Sequence, residues 1–63
     1  MKRKDNYKFE IGDIVRFDGS KAKIISRWWD GVANNMYEVK FMIGRSLAKD
    51  SWGTKENQLE RYK

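Results

Sequence analysis

A turn centred on Asp18-Gly19-Ser20, set between two β-forming runs, constrains this chain more than any other stretch of it. Ile14-Val15-Arg16-Phe17 leads into the turn and Ala22-Lys23-Ile24-Ile25 leads out. Asp-Gly in such a setting specifies a hairpin, because the turn needs positive φ and glycine supplies it without steric cost. A third run, Tyr37-Glu38-Val39-Lys40-Phe41, alternates apolar and polar residues with period two and reads as a half-buried strand. The expectation is a three-stranded antiparallel meander with one apolar face.

Residues two apart on a strand share a face. The first strand, near 13–18, turns Val15 and Phe17 one way and Ile14 and Arg16 the other. In the second, near 21–28, the alternation places Ala22, Ile24, Ser26 and Trp28 inward, with Lys23, Ile25, Arg27 and Trp29 outward. The third, near 36–42, places Tyr37, Val39 and Phe41 inward and Glu38 and Lys40 outward. Asp30-Gly31-Val32-Ala33-Asn34-Asn35 between them is a loop rich in turn formers. Residues 43–50 read as either a wide loop or one helical turn. A short fourth strand around 51–54 would bury Trp52, Glu56-Asn57-Gln58-Leu59 reads as a 3₁₀ turn, and Glu60-Arg61-Tyr62 closes as a fifth strand.

Sixty-three residues without cysteine or histidine must hold together by packing alone, which excludes disulfides, the usual zinc sites, and thiol or imidazole catalysis. Neither a metal nor a cofactor is expected. The carboxylates, Asp13, Asp30, Asp50 and Glu56 among them, form no evident acid–base pair, so catalysis is not expected either. No apolar run approaches the ~20 residues of a membrane span and no signal peptide follows the basic start, so a cytoplasmic monomer without membrane contact is the expectation. The net charge is +5, of which residues 1–8 carry +3 and residues 9–63, with ten basic and eight acidic side chains, carry +2. Residues 1–8 therefore read as a basic flexible tail, and 9–63 as the folded domain.

Gly12-Asp13-Ile14-Val15, Asp18-Gly19, Ala22-Lys23-Ile24, Tyr37-Glu38-Val39-Lys40-Phe41 and Gln58-Leu59-Glu60 together resemble the SH3-like small barrels, closest to the Tudor and KOW-type branch. The resemblance implies an all-β fold: a single five-stranded antiparallel barrel over 9–63 with a short 3₁₀ turn before the last strand. It implies a core of Val15, Phe17, Ile24, Tyr37, Val39, Phe41, Trp52 and Leu59. Such domains bind RNA, DNA, ribosomal or transcription proteins, proline-rich peptides or methylated side chains, usually on loops at one end of the barrel. The turn here lacks the usual second glycine of KOW, and the aromatic spacing differs from that of a Tudor cage. The ligand class is left open by the motifs.

Three groups of residues are candidates for a binding surface. In Arg27-Trp28-Trp29-Asp30, adjacent tryptophans point to opposite faces; either Trp28 caps the core with Trp29 lying across cationic stems, or Trp29 is an exposed contact flanked by Arg27 and Lys23. Lys21, Lys23, Arg27, Lys40 and Arg45 could line a positive surface with Trp29, suited to phosphates and stacked bases, or form ordinary solvated charge. Ile14, Ile25, Met36 and Met42 are outward apolar residues, either covered by loops or forming a patch for a protein. The sequence thus leans to a noncatalytic nucleic-acid-binding module using Lys23, Arg27, Trp29, Lys40 and Arg45. The alternative is a protein-binding adapter or inhibitor using Ile25, Trp29, Met36 and Met42.

Overall fold

The computed structural model describes residues 7–62. Six strands follow in chain order: β1 (Ile14–Phe17), β2 (Ser20–Trp29), β3 (Asn35–Ile43), β4 (Ser46–Leu47), β5 (Trp52–Lys55) and, after a 3₁₀ turn at Glu56–Gln58, β6 (Leu59–Arg61). All pairings are antiparallel. The first hairpin closes with Phe17 opposite Ser20, which leaves Asp18 and Gly19 as a two-residue turn with φ of 54° and 79°. Positive φ at both central residues is the geometry whose twist matches the flanking strands.

The sheet runs β4-β3-β2-β1-β6, with β5 also lying along β3. It is not the closed five-stranded barrel that the resemblance implies: among the described residues β5 and β6 form no ladder with each other. The inner face is covered by the segment before β1. Phe9, from the segment before β1, is fully buried and meets the Tyr37 ring edge-on with centroids 5.6 Å apart. The core it completes contains Val15, Ala22, Ile24, Tyr37, Val39 and Leu59, with Tyr7, Phe17 and Phe41 packed against it. An aromatic side chain supplied by the N-terminal segment thus covers apolar surface on the inner face of an open sheet.

Several sequence-based placements change accordingly. Residues 43–50 hold the tight Gly44-Arg45 turn and β4. Trp52 is 51% exposed: β5 lies at an edge of the open sheet, and the Trp52 ring meets Phe41 in a T-shaped contact. Residues 1–6 of the basic arm lie outside the described residues, whereas Tyr7 is half-buried and joins the fold.

The β2–β3 ladder carries the largest difference. Ile24 pairs with Val39 but Ser26 pairs with Glu38, so Ile25 is an extra residue, a β-bulge. Beyond it the side-chain phase reverses. Arg27 lies opposite Tyr37 and Trp29 opposite Asn35, on the inner face, while Trp28 pairs with Met36 on the outer face and is 41% exposed. The expected orientations of Ser26, Arg27, Trp28 and Trp29 are therefore inverted.

Removing Phe9 should test how the core is closed. Phe9→Ala is expected to cost about 3–5 kcal/mol, as deep aromatic truncations do, which rivals the whole stability of a domain this small. Trp52→Ala should cost about 1 kcal/mol or less. Thermal unfolding followed by circular dichroism checks this; equal losses in the two variants would contradict it.

Candidate functional site

The inner face beyond the bulge is committed to holding the N-terminal segment. The Arg27 guanidinium donates to the Phe9 carbonyl at 2.8 Å, pairs with a Glu10 carboxylate oxygen at 3.2 Å, and lies 4.5 Å from the centroid of the Tyr7 ring. Its charge and its flat face are both used internally. Beside it, the Tyr37 hydroxyl accepts the backbone N–H groups of Lys8 (3.1 Å) and Phe9 (3.2 Å) and donates to Glu56. Glu56 Oε2 also accepts from the Lys8 N–H at 2.8 Å and from the Asn35 amide at 3.2 Å. Burial, together with the Glu56 carboxylate that accepts its hydrogen bond, pushes the Tyr37 hydroxyl up to about 12. Leaving those N–H groups unpaired would be costly, so this cluster fixes where the segment before β1 sits.

The β2–β3 loop is fastened differently. The Asp30 carboxylate accepts the N–H groups of Val32 (2.7 Å), Ala33 (3.0 Å) and Asn34 (3.1 Å) and the Asn34 side-chain amide (3.1 Å). These bonds, led by those from Val32 and Asn34, hold its carboxyl down at about 2. Asp30 is thereby a loop staple.

The opposite, outer face carries a cluster of cations. Ladder positions put Arg16 directly across from Lys21, and Lys23 directly across from Lys40. Lys21 and Lys23 are two apart on β2, so all four cations share one face of three adjacent strands. None of the four forms an ion pair with another described residue; the ion pair the described residues do hold is Arg27 with Glu10. Glu60 stands opposite Arg16 in the β1–β6 ladder, and Glu38 lies two residues from Lys40, accepting a hydrogen bond from Ser51 at 2.6 Å. Like charges directly opposed across strands destabilise a sheet by tenths of a kcal/mol up to about 1 kcal/mol per pair. Two such pairs in adjoining rows are a local cost that an anion would relieve.

Tyr62 borders this face. β6 points Leu59 inward and Glu60 outward, and the alternation continues with Arg61 over the Phe9 ring and Tyr62 beside the outer cations. The Arg16 guanidinium and the Lys21 ammonium lie 5.4 and 5.3 Å from its ring centroid, and the residue remains 41% exposed.

The sequence-derived candidates therefore divide. Lys21, Lys23 and Lys40 are brought together; Arg27 and Trp29 are on the other face; Arg45 sits in the Gly44-Arg45 turn, beyond those rows. Ile25, Met36 and Met42, the apolar alternative, are each half-buried, as is Trp29. Arg16 is legible in the sequence as an outward residue of the first strand, and Tyr62 as part of the closing strand; neither stands out until register places them beside Lys21. Among the described residues no pocket forms.

Fold and site together define a small antiparallel β domain with one face given to its core and one bearing a cation cluster. Compared with protein-family models, with curated proteins and with solved structures, the chain finds no match.

Tyr37 yields a pH-dependent expectation. Because its hydroxyl titrates near 12 in the folded protein against about 10 when free, the stabilisation is complete below pH 10 and lost as pH rises through 12. Tyr37→Phe should lower stability by about 1–3 kcal/mol at neutral pH and weaken that alkaline decline. Urea titrations at several pH values would show both effects, and an unchanged midpoint in the variant would contradict the assignment.

Proposed function

We propose that this domain is a noncatalytic binding module whose outer sheet face takes the phosphate backbone of a nucleic acid. The observation that carries the reading is the pair of cation–cation rows, Arg16 with Lys21 and Lys23 with Lys40. Four converging cations favour a ligand with regularly repeated negative charge, and phosphate contacts position such a ligand irrespective of sequence. Lys2, Arg3 and Lys4 add further positive charge to the same chain. The order of the ladders, with β6 beside β1, β5 beside β3 and the 3₁₀ turn between β5 and β6, supports grouping the chain with the SH3-like small domains as an open variant.

A second reading, a protein partner, draws on a separate observation. Trp28 pairs with Met36 on the outer face, and Lys55 lies opposite Met36 on β5, so an exposed indole stands beside a flexible apolar side chain. That combination suits an interface anchor. It offers less charge complementarity than the cation rows offer a polyanion.

Salt dependence separates the two. If the four outer cations neutralise phosphates, the logarithm of the association constant should fall with the logarithm of salt at a slope of about −3. Lys23→Gln combined with Lys40→Gln should flatten that slope by about 1.5 to 2. Arg27→Ala should lower the melting temperature and leave the slope unchanged. Fluorescence anisotropy with labelled oligonucleotides provides the measurement. No binding at low salt, or a slope insensitive to the lysine changes, would remove this reading.

A further inference from the structure

Charge alone would serve single strands and duplexes alike, but the outer face also holds an aromatic ring placed against its cations. From that geometry we infer that the ligand is single-stranded and that one base stacks on Tyr62. The inference rests on the outer-face reading above and narrows it.

Three observations bring the ring into the site. First, Tyr62 follows β6 in register: Arg61 is opposite Val15, so the next position falls alongside Ile14, which is itself opposite Lys23, opposite in turn Lys40. Ring and lysines thus lie along one row crossing the sheet. Adjacent strands are about 4.8 Å apart, so the row from β6 to β3 spans about 14 Å. That distance suits a few nucleotides of single strand laid across the strands.

Second, the Arg16 and Lys21 charges at 5.4 and 5.3 Å from the ring centroid place phosphate-binding groups beside a stacking surface. A base on the ring and its own phosphate on those cations can be engaged together. Third, the residue is 41% exposed, so ring surface remains for a base. In a duplex the base faces are covered by their neighbours in the stack, and only a strand with accessible bases can use such a ring. Glu60, next in sequence and opposite Arg16, limits the anionic contact on that side and directs the strand toward Lys23 and Lys40.

The test compares three probes of equal length on the intact chain: a thymidine oligonucleotide, an abasic oligonucleotide with the same phosphates, and a duplex. Anisotropy titrations at low and moderate salt are read for the parent, Tyr62→Leu and Tyr62→Phe, each checked for an unchanged melting temperature. The thymidine strand should bind about tenfold more tightly than the abasic strand. Tyr62→Leu should remove that advantage while leaving the abasic affinity unchanged, and Tyr62→Phe should keep it. Equal binding of all three probes, with Tyr62→Leu silent, would overturn the single-strand inference and leave the phosphate reading standing. Failure of every probe at low salt would overturn both.

Discussion

The extra residue at Ile25 decides what each face of this protein can do. A β-strand repeats its side-chain direction every two residues, so one inserted residue exchanges the faces of everything beyond it. Before the bulge, β2 contributes Ala22 and Ile24 to the core and Lys21 and Lys23 to the outer face; after it, Arg27 and Trp29 turn inward and Trp28 outward. Without the bulge, the guanidinium that holds the Phe9 carbonyl would face away from the N-terminal segment. The inner face would then lose its tie to the aromatic side chain that covers it.

From that reversal the division of labour follows. The inner face gathers Arg27, Tyr37 and Glu56 around the backbone of Lys8 and Phe9, and each polar group there has a partner that offsets its burial. Phe9 can then complete a core that the open sheet leaves uncovered. The outer face is released from structural work, and there the opposed lysines and arginine form no ion pair with any described residue. A domain of 63 residues has little stability to spare, so repulsion kept on one face is more informative here than it would be in a large protein.

How much of this was legible in the sequence depends on which physical signal carried it. The Asp18-Gly19 hairpin, the inward Tyr37, Val39 and Phe41, and the 3₁₀ turn at Glu56–Gln58 were readable, because turn chemistry and period-two alternation are local. The bulge was not: Ile25 is an ordinary strand former, and the extra residue is apparent only when β2 is laid against β3. The error in Arg27, Trp28 and Trp29 follows from that one position. Phe9 does not stand out as a core residue because the alternation in Phe9-Glu10-Ile11 is too short to define a strand; its burial depends on the distant Tyr37 hydroxyl and Arg27 side chain. Hydrophobicity and the barrel resemblance both place Trp52 in the core, but neither says whether the strand bearing it lies at an edge. The sequence groups Lys21, Lys23 and Lys40, but the opposition of Lys23 to Lys40 and of Lys21 to Arg16, and Tyr62 beside them, depend on register.

The central claim is that the outer face, not the inner one, meets the ligand. Backbone amide chemical shifts of isotope-labelled protein, recorded while a short single-stranded oligonucleotide is added, test it most directly. The account predicts shifts concentrated at Arg16, Lys21, Lys23, Lys40 and Tyr62, with Arg27, Trp29 and Tyr37 little changed. Shifts centred instead on Arg27 and Trp29, or on Trp52 and Phe41, would contradict it.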